Sequence, residues 1–183
     1  MEMASETSEA KFSLTNMMHK NYEHVIHDVS RRWISQMKIG FDLDGVLCDT
    51  DMNFLRLLER VPPFQDDLEK MMEFEAWYFN ERKPLLNPEN FLSEGDEYYV
   101  ITGRDNEFHG EVTERWCRKF TPNAKGVYCV GEYPKPVEEG KAKKIVELGL
   151  DVYIDDHPVT VRKLRAALPS HVKVIQYGGR WIK

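Results

Sequence analysis

The chain has 183 residues, 42% of them hydrophobic, and a net charge of −6, which suits one domain with an ordinary core and no covalent staples. The acidic balance argues against a protein that holds nucleic acid on a broad basic surface, although a local basic groove stays compatible with it. Three cysteines, Cys48, Cys117 and Cys129, form no C-x-x-C pair, no apolar run reaches the roughly 18 residues of a membrane span, and the N-terminus, with Glu2, Glu6 and Glu9, lacks a signal-peptide pattern; a disulfide framework, a zinc knuckle and a membrane protein are disfavoured, and a reducing cytoplasmic setting is expected.

In chain order, Met18, Tyr22, Val25, Val29 and Trp33 step by three or four, which predicts an amphipathic helix from about Ser13 to Ser35. Met37-Lys38-Ile39-Gly40 reads as the start of a strand-first domain, so residues 1–36 are expected to be a helical extension and 37–183 the main domain. The extension packs on the body, forms a homodimer contact or reflects an upstream start; packing is the favoured reading. Strands are expected at Lys38–Asp42, Glu97–Ile101, Gly126–Val130, Asp151–Ile154 and Val172–Gln176. Helices are expected near 108–120, 138–148 and 158–167, an alternation that predicts βαβ units and a parallel sheet.

Residues 51–96 form an insert between the first two strands. Helical stretches are expected there at Asp51–Arg60 and Asp66–Asn80, divided by the breaker Pro62-Pro63. The insert holds Phe64, Met71, Met72, Phe74, Trp77, Tyr78 and Phe79, more apolar and aromatic surface than one helix face needs. Packing against the main domain is the favoured explanation, and a partly exposed substrate lid is the other.

In open α/β sheets ligands bind beyond the carboxyl ends of the strands. Asp42 and Asp44 follow strand one, Thr102, Gly103 and Arg104 follow strand two, Asp155 and Asp156 follow strand four, and Lys141 opens the helix before strand four. One Asp at a strand end is commonly a turn former. Gathering several costs roughly 4 kcal/mol per close pair at an effective dielectric near 20 and so implies a cation; all-oxygen ligands point to magnesium rather than zinc.

The segments Asp42-x-Asp44-Gly45-Val46-Leu47, Ile101-Thr102-Gly103-Arg104, Lys141 and Ile154-Asp155-Asp156 occur in the order of the four motifs of the haloacid-dehalogenase superfamily and resemble them over about residues 38–180. The resemblance implies an α/β fold, a Rossmann-like three-layer sandwich with a parallel five-stranded sheet in the order 5-4-1-2-3 and a small helical cap insertion. It implies a phosphatase in which Asp42 attacks phosphorus to form an aspartyl-phosphate. Mg2+ would be held by Asp42, the Asp44 backbone carbonyl and the Asp155–Asp156 pair, with Asp156 the favoured direct ligand and Asp155 orienting Lys141 or the metal's waters. Asp44 would protonate the leaving alkoxide and then deprotonate the attacking water. Thr102, with Gly103, would bind phosphoryl oxygens, and Lys141, rather than Lys143 or Lys144, would offset charge on phosphate and Asp42. Arg104 either reaches a distal part of the substrate or pairs with Asp105 or Glu107. His157 is read as a loop or helix-start residue.

Only about 60 residues separate Asp42 from Thr102, which excludes a large cap and favours a phosphatase over a mutase. A reduced cap, the aromatic insert, Trp116 and the Ile-Asp-Asp run are similar to the small 5′-nucleotidases, although the insert here is shorter. The expected substrate is a small phosphate ester, a nucleoside monophosphate above others, with Trp77, Tyr78 or Phe64 available for base stacking. An open site would also admit a polynucleotide end, which the acidic charge disfavours, or a phosphoprotein. A non-catalytic binding module is the remaining alternative, and the intact Asp42, Asp44, Lys141 and Asp156 speak against it.

Overall fold

The sheet of the computed structural model is built outward from β1 (Lys38–Phe41), which lies at its centre. Residues 36–51, 58, 60, 67–132 and 134–178 are described; the helix expected at 13–35, most of the Asp51–Arg60 stretch, Pro62-Pro63 and Phe64 lie outside them. β1 pairs in parallel with β2 (Glu97–Asp105) on one side and β4 (Val152–Asp155) on the other, and β3 (Val127–Gly131) and β5 (Lys173–Gln176) complete the edges. The order β3-β2-β1-β4-β5 is the parallel five-stranded arrangement that the motif resemblance implied.

Alternate strand residues feed two separate cores, one on each face. Val100 joins Ile39, Phe41, Leu43, Leu47 and Trp116, while its neighbour Ile101 joins Ile145, Leu150, Tyr153, Val161 and Leu164, as the two-residue repeat of a strand covered on both sides demands. A side chain at Gly40 would run into Leu150 and Tyr153, so the central strand needs glycine there for close approach.

Helices α2 (Asn106–Phe120), α3 (Val137–Leu148) and α4 (Pro158–Ala167) connect the strands. α2 starts two residues before the expected position because the Asp105 carboxylate accepts from the N–H groups of Glu107 and Phe108, a side-chain cap. α3 ends where Gly149 takes the left-handed conformation at φ 63. His157 is the N-cap of α4, accepting from Thr160 N, with Pro158 in the first turn.

β2 differs most from its expected form, running to Asp105 rather than stopping at Ile101. β3 continues to pair with it at Thr102 and, after a register shift, at Asp105, so a tertiary partner extends a strand that its own sequence would end. Thr102, Gly103 and Arg104 therefore lie inside the strand. The insert contributes α1 (Leu68–Asn80), capped by Asp67, and a short 3-10 turn at Pro88–Phe91. Tyr78 and Phe79 pack with Val112 of α2, and Trp116 Nε1 donates to Arg82 O at 2.8 Å just beyond α1. At about 1.5–3 kcal/mol per buried large apolar side chain, these contacts hold the insert to the body. Among the described residues of the run, Trp77 alone is exposed, at 57%. No helix among the described residues is long and apolar enough to cross a membrane.

Candidate active site

Asp42 is the first residue beyond β1, its N–H still donating to Ile154 O at 2.8 Å. A tight turn follows, in which Leu43 O accepts from the N–H groups of Leu47 and Cys48. Leu43, Val46, Leu47 and Cys48 are completely buried, so the loop is anchored by its apolar side chains while Asp42 and Asp44 project from it. Gly45 holds φ 81, and a side chain there would collide with the Asp156 carboxylate. Glycine thus serves both the turn and the approach of Asp156.

Lys141 reaches Asp42 Oδ2 at 2.9 Å and Asp155 Oδ2 at 2.8 Å, with its side chain only 4% exposed. It lies one turn inside α3, not at the helix start as its sequence context suggested, because Pro136 occupies the cap position and the helix begins at Val137. Lys143 is exposed, and Lys144 pairs with Glu147 and lies over Tyr128. Burial works against a charge on Lys141, but Asp42, Tyr153 and Asp155 together hold its ammonium well above the usual lysine range. Tyr153, fully buried, donates to Ile101 O at 2.9 Å and sets its ring 5.8 Å from Lys141 Nζ.

Asp155 Oδ1 accepts from His157 N and Oδ2 from Lys141, so both oxygens of this carboxylate are engaged. Asp156 is buried beside it, and ligand atoms of Asp42, Asp155 and Asp156 lie within 4.8 Å of one another. Burial raises the Asp42 carboxyl well above its ordinary range; Lys141 opposes this, while Asp155, Asp44 and Asp156 add to it. Among the described residues Lys141 is the ammonium set beside these three buried carboxylates, and an all-oxygen donor set of this kind fits Mg2+. Asp42, Asp155 and Asp156 are the described carboxylates near enough to one another to hold a cation. When bound, a divalent cation would supply positive charge beside these carboxylates.

Two consequences are measurable. Magnesium at about 100 times its Kd is expected to stabilise the protein by about 2.7 kcal/mol, read as an upward shift in Tm that EDTA reverses. Asp156→Asn is expected to remove that shift without lowering the metal-free Tm; an undiminished shift in this variant would place the cation elsewhere.

The Asp44 carboxylate turns away from this cluster. Arg104 grips it with two donors, Nε to Oδ2 at 2.9 Å and Nη2 to Oδ1 at 2.6 Å, and Thr102 Oγ1 donates to Oδ2 at 3.4 Å. The pairing with Asp105 or Glu107, one of the two alternatives for Arg104, is not formed: Asp105 caps α2, and Arg104 is buried with its guanidinium on Asp44. Its remaining contacts are Thr113 Oγ1 at 3.1 Å, Thr50 Oγ1 at 3.5 Å and the face of Phe79, 3.7 Å from the guanidinium carbon. Burial alone would raise the Asp44 carboxyl, but Arg104 outweighs it and keeps the group below the usual carboxylate range. Thr102 sits between Asp44 and the Arg104 N–H that its hydroxyl accepts at 3.3 Å. Gly103 lies against Val137, with no room for a side chain, and so lets α3 approach β2.

Four residues absent from the sequence reading of the site are therefore structural parts of it: Thr50, Phe79, Thr113 and Tyr153. Phe79 was legible as part of an aromatic run and Thr113 as a polar residue on the buried face of α2. Nothing local marked Thr50 or Tyr153.

No protein-family model and no curated protein matches the chain. Solved structures do match its fold. A haloacid-dehalogenase-like hydrolase from Streptococcus pneumoniae aligns with a TM-score of 0.50 and 15% identity over 79% of this chain and 85% of its own. A β-phosphoglucomutase candidate from Thermotoga maritima aligns at 0.52, with 16% identity over 79% and 88%. A chain of the Pnkp1/Rnl/Hen1 RNA repair complex aligns at 0.52, with 19% identity over 80% of this chain; the match spans 44% of that longer chain. The fold is that of the haloacid-dehalogenase-like hydrolases, a parallel sheet between two helical layers.

Proposed function

We propose that the chain is a Mg2+-dependent phosphomonoester hydrolase that works through an aspartyl-phosphate on Asp42. Residues 37–183 form the catalytic domain, with 1–36 as an extension and the segment 51–96 as a reduced cap. The observation that carries the reading is the convergence, at the carboxyl edge of β1 and β4, of Asp42, Asp156 and Lys141 around one point with Asp44 two residues along the same loop.

In the first step an Asp42 carboxylate oxygen attacks phosphorus, the bond from phosphorus to the ester oxygen breaks, and the departing oxygen takes a proton from Asp44. In the second, Asp44 takes a proton from water, the water oxygen attacks phosphorus, and Asp42 is released with inorganic phosphate. Lys141 offsets charge on the attacking carboxylate, and Thr102 and Gly103 line the phosphate seat beside β2. Because Arg104 holds Asp44 ionised, taking the proton from water is the half of the cycle that the resting arrangement favours. Proton donation then limits the first half, so an ester with an acidic leaving group, p-nitrophenyl phosphate, is expected to react faster than an alkyl phosphate.

A nucleoside monophosphate is the favoured substrate, since Trp77 stands exposed beside the buried ring of Tyr78 and offers a face for a base. The three free cysteines accord with a reducing cytoplasm. The test is a broad phosphate-ester panel with magnesium or EDTA, run with wild type, Asp42→Asn and Asp44→Asn. Metal-dependent hydrolysis lost in both variants supports the mechanism. Hydrolysis of sugar phosphates but not nucleotides would overturn the substrate assignment, and no hydrolysis of any ester would overturn the phosphatase.

A further inference from the structure

Beside the catalytic loop is an open pocket of about 550 Å3 lined by Asp51, Phe74, Trp77, Tyr78 and Arg82. Its aromatic wall is continuous: the Phe74 ring lies 5.5 Å from that of Trp77 and 6.2 Å from that of Tyr78, stacked on the latter. Arg82 is fixed from three directions. Its carbonyl accepts from Trp116 Nε1, its own Nε donates to Tyr78 O at 3.1 Å, and its guanidinium lies 4.0 Å over the Tyr78 ring. Its two terminal nitrogens nevertheless have no hydrogen-bond or ion-pair partner among the described residues. A guanidinium held flat on an aromatic ring with its donor end open is an anion receptor already paid for in side-chain entropy.

Two residues of the pocket are chain neighbours of residues that contact Arg104, the partner of Asp44. Asp51, whose N–H donates to Tyr78 Oη at 3.0 Å, directly follows Thr50, which accepts from Arg104, and Phe79, which covers Arg104, directly follows Tyr78. We propose that this pocket is a second anion subsite: Arg82 binds a non-reacting anionic group of the substrate while an aromatic ring of the same substrate lies on the exposed face of Trp77. The inference rests on the phosphatase reading for the position of the first phosphate. The occupant needs an anion for Arg82 and a ring for Trp77. A nucleotide unit has both features. Its second anion comes either from a nucleoside bisphosphate or from the phosphodiester of a short oligonucleotide.

The test compares p-nitrophenyl phosphate, adenosine 5′-monophosphate, adenosine 3′,5′-bisphosphate and a diadenosine dinucleotide with a terminal phosphate, on wild type, Arg82→Gln and Arg82→Lys. A charged hydrogen bond of about 1.5–3 kcal/mol corresponds to at least about a tenfold change in affinity. Wild type is expected to show a KM about tenfold lower for the bisphosphate or the dinucleotide than for the monophosphate, and whichever is lower identifies the source of the anion. Arg82→Gln is expected to erase that difference through KM with kcat retained and p-nitrophenyl phosphate unaffected, and Arg82→Lys to restore part of it. Equal KM values in wild type, or an equal loss on all four esters in Arg82→Gln, would overturn the subsite. Tryptophan fluorescence with Asp42→Asn as the background separates the two readings. Quenching by adenosine 3′,5′-bisphosphate that needs both Trp77 and Arg82, in a protein whose wild type hydrolyses nothing, keeps the subsite and sinks the phosphatase; hydrolysis without such quenching does the reverse.

Discussion

Asp42→Asn is expected to lower turnover by at least about 10,000-fold, the scale of loss when a covalent nucleophile is removed. The amide keeps the size and shape of the carboxylate, and Lys141 retains Asp155 at 2.8 Å, so the buried ammonium keeps an anionic partner. The fold should therefore survive, with a metal-free Tm within a few degrees of wild type, and the loss should lie in kcat. Steady-state kinetics alongside a thermal melt check both halves. Retention of more than about a hundredth of wild-type kcat would mean that Asp42 is not the nucleophile.

Arg104→Met is expected to have the largest effect on stability. It leaves the Asp44 carboxylate without its buried counterion and costs roughly 3–5 kcal/mol, a fall in Tm on the order of 10 °C. Pairing it with Asp44→Asn removes both charges and should recover most of that loss, because two neutral groups leave no stranded ion. If the double variant is no more stable than the single, the cost comes from lost packing on Phe79 and not from charge. A pH signature accompanies the pair. Since Arg104 holds Asp44 below its unfolded pKa of about 3.9, the native state sheds this proton more readily than the unfolded chain. The stabilisation is complete above that value and is lost as pH falls through the folded pKa. The acid limb of the stability curve should flatten in the double variant.

The sheet was readable because each strand is a short apolar run ended by polar or breaker residues, and because the motifs fixed which strand stands at the centre. The end of β2 was not readable. Whether Thr102 to Asp105 continue the strand depends on pairing with β3 across a register shift, and that is a property of two segments rather than one. Arg104 illustrates the same limit at the site. Reading along the chain offers Asp105 and Glu107 as partners, yet the actual partner lies 60 positions away. The register of β1 against β2, with Phe41 beside Val100, carries Asp44 to the level of Gly103 and Arg104, so the pair follows from strand adjacency once that is known. Lys141 could be singled out by residue type and by the edge it faces, but Pro136 displaced the helix start from the expected place. The insert was legible as helical from Asp66 to Asn80, while the division of its aromatics, Phe79 over Arg104 and Trp77 outward, depended on where α2 lies.

The most direct test of the central claim is to trap the intermediate. Asp44→Asn mixed with p-nitrophenyl phosphate and magnesium should form the Asp42 adduct, since this leaving group needs little protonation, and should hydrolyse it slowly for want of a base. Acid quench followed by peptide mass spectrometry is predicted to find one phosphoryl group per chain on Asp42, removable by hydroxylamine as an acyl phosphate requires. Nitrophenol release with an unmodified Asp42, or with the phosphoryl group on another residue, would contradict the account.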